Sequence, residues 1–132
     1  MKKFLTPLLA IVLLFTACGK DPVTAPPAAS LVGKWTVDQH VIKEYVNNAL
    51  VSSITIPGDG TTFDFQTNGN LVITHPGNVL ETTPYTIQPN SKVNIGGDVM
   101  DIQGLTTTNV AMYLRQDYAP GEYDEVTVKL KK

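Results

Sequence analysis

Few side chains in this 132-residue chain could do chemistry. They are one cysteine (Cys18), two histidines (His40 and His75), the serines Ser52, Ser53 and Ser91, and the acids Asp59, Asp64, Asp98 and Asp101. Hydrolysis by a nucleophile needs the nucleophile, a base and an orienting group in one place. None of the serines sits in a Gly-x-Ser-x-Gly elbow. His75 precedes Pro76 at a turn, and His40 stands in a strand-like run between Gln39 and Val41. Asp98 and Asp101 flank Met100 at the acid density of a solvated face. Calcium takes about six to eight oxygens from a shaped loop, whereas Pro57-Gly58-Asp59-Gly60 is a turn with a single carboxylate. No Cys and His spacing suggests zinc. The expectation is a protein that is not an enzyme, with no cofactor and no metal.

Cys18 has a more telling setting. Lys2 and Lys3 are followed by an unbroken apolar run from Leu8 to Phe15, then Thr16-Ala17 and the cysteine. A basic start, an apolar middle and a small residue at the cut make a secretory signal. The run is too short for a membrane span, which needs roughly 20 apolar residues. The arrangement resembles the lipobox of bacterial lipoproteins, with Phe15 bulkier than the usual aliphatic residue. That resemblance implies a lipoprotein signal peptide over 1–17, cleavage before Cys18, a diacylglycerol on the Cys18 sulfur and an acylated (palmitate-type) new N-terminus. It places the chain in the cell envelope, lipid-anchored to the outer membrane, so that one partner is the membrane itself. Stable anchoring takes two or more acyl chains, and the resemblance supplies three. Gly19-Lys20-Asp21 also resembles the surface-export signal of Bacteroidetes lipoproteins, with one acid where several are usual. An ordinary polar linker remains the open alternative there.

Removing Lys2 and Lys3 from 10 basic side chains leaves 8 against 12 acidic ones, a formal −4. A mildly acidic domain without a basic stripe is not built for nucleic acid. No second cysteine exists for a disulfide, so the fold must stand on its core. Residues 18–30 read as an acylated cysteine and a Pro/Ala-rich tether. At ~3.1 Å per residue in a polyproline conformation, Gly19 to Ser30 reaches on the order of 35 Å. Residues 31–132 form one domain, and a chain near this length buries roughly 65% of its unfolded surface.

From Leu31 onward the pattern is β. Phe63 and Phe65 alternate with Asp64 and Gln66; Leu71 and Ile73 share a face, as do Tyr85 and Ile87, and Val93 and Ile95; and Val110, Met112 and Leu114 line one face. Turn pairs separate these runs at the roughly 8–12-residue spacing of all-β domains: Asn68-Gly69, Pro76-Gly77, Pro89-Asn90, Gly96-Gly97 and Pro120-Gly121. Val41 to Leu50 fits a helix or a strand with a phase slip, and its stiff Val and Ile residues favour strand, with Asn47-Asn48 as the turn. Nine strand-like segments emerge, one of which Pro84 could split. Tight links favour an all-β, up-and-down antiparallel β-barrel, since closure removes exposed edges. An open-ended sandwich is the alternative.

Leu31-Val32-Gly33-Lys34-Trp35 resembles the Gly-x-Trp opening of lipocalins, and more closely the lipocalin-like lipoproteins of Bacteroidetes. Thr62-Phe63-Asp64-Phe65 with Asn68-Gly69 resembles that family's hairpin, and Tyr85–Ile95, Ile102–Thr106 and Met112-x-Leu114 its closing strands. The resemblance implies a small barrel, with Trp35 plugging one end, that binds a small apolar or amphipathic ligand. The inward residues expected to touch such a guest are Trp35, Phe63, Phe65, Tyr85, Met100 and Met112. Lipocalins also stack an Arg on the Trp; Arg115 is the single Arg here, and alternation with Met112 and Leu114 directs it outward. The rival reading is a structural or protein-interaction lipoprotein with a packed barrel, whose contact surface is Tyr113, Tyr118 and Tyr123.

Overall fold

The structure is a computed structural model that describes residues Ser30–Lys132. The expected signal peptide at 1–17, Cys18 and all of the expected tether but Ser30 lie outside the described residues.

The chain folds into β-strands with short turns: β1 (Gly33–Val46), β2 (Ala49–Pro57), β3 (Thr62–Phe65), β4 (Asn70–His75), β5 (Asn78–Gln88), β6 (Lys92–Ile95), β7 (Asp98–Gln103), β8 (Asn109–Ala119) and β9 (Glu122–Lys131). All pairings are antiparallel. The order is β2-β1-β3-β4-β5-β6-β7-β8-β9, and β1 bonding to β9 closes the ring. β3 lies beside the start of β1 (Gly33 opposite Phe65) and β2 beside its end (Val46 opposite Ala49). The two therefore share one edge of β1, end to end, and the barrel has eight staves. The sheet is a meander closed on itself rather than the two facing layers of a sandwich.

The turns follow from residue types that accept positive φ. Asn47 and Asn48 sit at φ 52° and 61°, as a two-residue primed hairpin demands, so Val41–Val46 is strand and the chain reverses at the two asparagines. Pro84 does not split β5. It stands where β5 changes partners: Pro84 is opposite Asn70 of β4, and Tyr85 is opposite Ile95 of β6. A residue without an N–H is tolerated at such a handover.

β1 carries a bulge at Asp38. Val37 faces Leu130 of β9, but the next pair is Gln39 with Lys129. The extra residue shifts the inward side from Val37 to His40. The same place receives the loop between β2 and β3. The Gly58 N–H donates to the Asp38 carbonyl at 2.8 Å, and the Val37 N–H donates to the Thr61 carbonyl at 2.8 Å. Gly58 lies so close that a Cβ there would come 2.0 Å from the Val37 carbonyl oxygen.

The solid part of the core is the end where the chain enters. Trp35, Phe65, Leu71 and Leu130 are fully buried. The Trp35 indole N–H donates to the Leu31 carbonyl at 2.7 Å, so its one polar atom is satisfied inside. Lys132 lays its ammonium 4.3 Å over the indole ring. Gly33 makes room for it: its φ of 120° is open to glycine, and a Cβ there would meet Lys132 Nζ at 3.3 Å. Phe65 meets Tyr85 edge-on at 5.1 Å, and the Tyr85 hydroxyl donates to the Gln66 carbonyl at 2.8 Å. Together they form a floor.

Replacing Gly58 with Ala forces the β2–β3 loop off β1. A loss of about 1–3 kcal/mol is expected, the scale of overpacking, read as a lower urea midpoint at unchanged slope.

The open mouth of the barrel as candidate functional site

Above the floor the interior is not filled. Phe63, Ile73, Ile95, Met100, Met112 and Val128 surround an apolar cavity of about 180 Å³, with Leu71 at its base and Asp98 at its lip. Short strands make the space: β3 and β6 span only four residues each, so the wall is low on their side. On the other side β1, β2, β8 and β9 run on. Directly opposed residues in an antiparallel ladder share a face, and the registers extend the inner face rung by rung. Met112, Val128, His40 and Ile56 make one rung; Leu114, Val126, Ile42 and Ile54 make the next. Ile54 and Ile56 are 53% and 46% exposed. The cavity therefore opens onto an apolar wall that nothing covers among the described residues.

Of the residues expected to touch a guest, Phe63, Met100 and Met112 line this cavity. Trp35, Phe65 and Tyr85 lie in the packed floor beneath it. Cys18 lies outside the described residues. Ile87, expected inward, is 54% exposed near the end of β5. Alternation alone overlooked Val128, Ile42, Ile54 and Ile56. Their signal is register: each stands across a rung from a residue already known to face in.

Two other hollows are larger and differently made. One of about 260 Å³ lies by Asp38, Gln103, Asn109 and Lys129. The other, of about 450 Å³, lies over Thr83–Thr86, Asn94 and the Gly96-Gly97 turn. Both mix polar side chains and turn backbone with apolar groups, Val110, Ala111 and Leu130 in the first and Pro84 and Tyr85 in the second, and both are more open to solvent than the mouth cavity.

The histidine chemistry is local. The Thr61 hydroxyl donates to Asp59 at 2.6 Å, and His75 Nδ1 lies 3.4 Å from Asp59 and 3.3 Å from Thr61 Oγ1. The carboxyl of Asp59 is held below its usual range, chiefly by the Thr61 hydroxyl and then by the Thr61 N–H. One ring nitrogen faces both neighbours and the threonine proton is directed at the carboxylate, so the group lacks the nucleophile–base–orienter sequence of a relay. It clamps the β2–β3 loop to the end of β4. No three His, Cys, Asp or Glu side chains gather to hold a metal among the described residues.

On the outer wall three tyrosines gather, but not the three of the contact-surface reading. Tyr113 and Tyr45 both donate to Glu125, at 3.0 and 3.2 Å. Tyr45 stacks on Tyr123 at 4.5 Å. Arg115 lies 3.6 Å over Tyr123 and pairs with Asp117 at 2.8 Å, so it faces outward, as alternation requires, and Lys132 covers Trp35 in its place. Tyr118 points the other way and donates to Asp124 at 2.9 Å. The outer tyrosines tie β1, β8 and β9 together with their hydroxyls and ring faces already engaged.

Comparison of the chain with protein-family models, with curated proteins and with solved structures gives no match.

Burial first, and then the bond to Glu125, push the Tyr113 hydroxyl from 10.0 up to about 12. A group raised in the folded state stabilises fully below its unfolded pKa and ceases to do so as pH passes its folded pKa. The unfolding midpoint should hold up to about pH 10 and fall between about 10 and 12. Glu125→Gln should move the high-pH end of the tyrosinate absorbance titration to lower pH.

Proposed function

We propose that this chain is a lipid-anchored envelope lipoprotein of lipocalin-like type that holds a small apolar or amphipathic guest, without catalysis, at the mouth of its barrel. The observation that carries this reading is the apolar cavity opening onto an uncovered apolar wall. Buried guest surface contributes ~25 cal/mol per Å². At about 180 Å³ the cavity is smaller than the roughly 300 Å³ of an ordinary small-molecule site. The guest therefore seats one apolar end inside and lays the rest along Ile42, Ile54, Ile56, Leu114 and Val126. Met100 and Met112 suit such a site, because unbranched thioether side chains adjust to irregular shapes. The anchoring half of the reading rests on the residues around Cys18. The rival, a filled scaffold, draws on the solid floor.

Two measurements test the two halves. Labelled palmitate should enter the full chain and not its Cys18→Ser variant; equal incorporation in both would refute the anchor. The full chain carrying Cys18→Ser should brighten Nile red, an uncharged apolar dye. Adding Ile73→Trp, which fills the cavity, should cut that response several-fold while the fold persists by circular dichroism. No response to the dye in either protein would favour the filled scaffold.

A further inference from the structure

We infer that the mouth selects cations: its guest carries an ammonium-like head on a short apolar body, and a fatty-acid-like anion is rejected. This rests on the mouth holding a guest at all.

The observation is a segregation of charge between the two faces of one sheet. Every Lys and Arg among the described residues points away from the mouth. Lys92, Arg115 and Lys131 are paired on the outer wall with Asp101, Asp117 and Asp38. Lys43 stands opposite Glu125, on the face of the tyrosine cluster. Lys34 is next to inward Trp35, and Lys129 lies between inward Val128 and Leu130, so alternation turns both outward. Lys132 lies over Trp35 at the floor.

The mouth carries acids instead. Asp98 is at the lip of the cavity itself. Glu81 stands directly opposite Ile73, which lines the cavity. Glu44 and Asp124 stand directly opposite each other, one rung beyond the Ile42–Val126 pair. None of these four belongs to an ion pair among the described residues; on the outer wall Asp38, Asp101 and Asp117 do, while Asp64 and Glu125 do not. Like charges directly opposed across strands are destabilising. Here the pair is left without a cation, and Asp124 has only the Tyr118 hydroxyl as a partner. That hydroxyl is itself raised, first by the bond to Asp124, then by burial, then by the charges of Asp124 and Glu44. A cationic head placed above the apolar rungs would relieve the repulsion between Glu44 and Asp124, and the low-dielectric wall strengthens the attraction over its value in water. A carboxylate head would meet four charges of its own sign. His40, on the rung of Val128 and Ile56, is the basic side chain within the mouth.

The test titrates the full chain carrying Cys18→Ser with three probes of one chain length, octylammonium, 1-octanol and octanoate, by calorimetry at about pH 8. Octylammonium should bind about tenfold or more tighter than octanoate, with octanol between them, and the gap should narrow as salt rises. Glu44→Gln with Asp124→Asn should bring octylammonium towards octanol and leave octanol unchanged. Asp98→Asn, at the exposed lip, is an independent variant expected to act in the same direction. Octanoate binding as tightly as octylammonium would overturn the charge selection, while octanol binding would leave the guest-holding mouth standing. If none of the three binds, both fall.

Discussion

The barrel depends on one strand. β1 is fourteen residues long, and it bonds to β9 on one edge while giving its other edge first to β3 and then to β2. The Asp38 bulge bends β1, and Gly58 lets the β2–β3 loop press against the bend closely enough to bond to Asp38. Closure of the ring and the change of partner therefore occur at the same place. Loosening that contact would disturb the seam of the barrel and the junction of its two halves at once.

The lower and upper halves of β1 then have different fates. Below the bulge, Trp35 and Val37 point into a space that large side chains fill. Above the bulge, β1 keeps β2, β9 and β8 beside it, but β3, β4, β6 and β7 have already turned back. The inner face continues without an opposite wall. The exposure of Ile54 and Ile56 is thus a result of unequal strand lengths, and β2 exposes its hydrophobes because its own barrel has stopped. β2 also has no charged residue on its open edge, while the open end of β8 carries Arg115 and Asp117. Edge strands usually carry charges that discourage pairing with other chains. β2 lacks that protection, and on this reading its apolar residues serve the mouth.

Much of this was legible in the chain. Alternation located the strands, and the Asn and Gly pairs located nearly every reversal, because both signals are local and steric. Trp35 as a plug was legible for the same reason: a large aromatic at the start of the first strand has nowhere else to go. Depth within the barrel was not. Phe63 and Phe65 are two residues apart on one face, yet one lines the cavity and the other lies in the floor. Alternation says which side of a sheet a residue faces, while height along the barrel is set by the stagger between strands. The Asp59–Thr61–His75 clamp escaped notice for a related reason. It joins a loop to the end of a strand fourteen residues further on, and no local pattern marks that meeting.

Register also explains why the charge asymmetry is invisible in composition. The chain is close to balanced, and acids and bases are interspersed along β1, β8 and β9. Lys43 and Glu44 are neighbours in sequence but face opposite sides of the wall, and so do Asp124 and Glu125. A shift of one residue in β1 or β9 would exchange the two faces. The inner side would then carry Lys43 in place of Ile42, or Lys129 in place of Val128, and the apolar residues of that strand would turn to solvent. The same pairing that buries Val128 therefore fixes the sign of the mouth. Because the chain enters beside Trp35 at the floor, anything attached before Leu31 joins the barrel at the end away from that acidic, apolar opening. An anchor at Cys18 would hold the molecule by its closed end and leave the mouth free to meet a guest arriving from the surroundings.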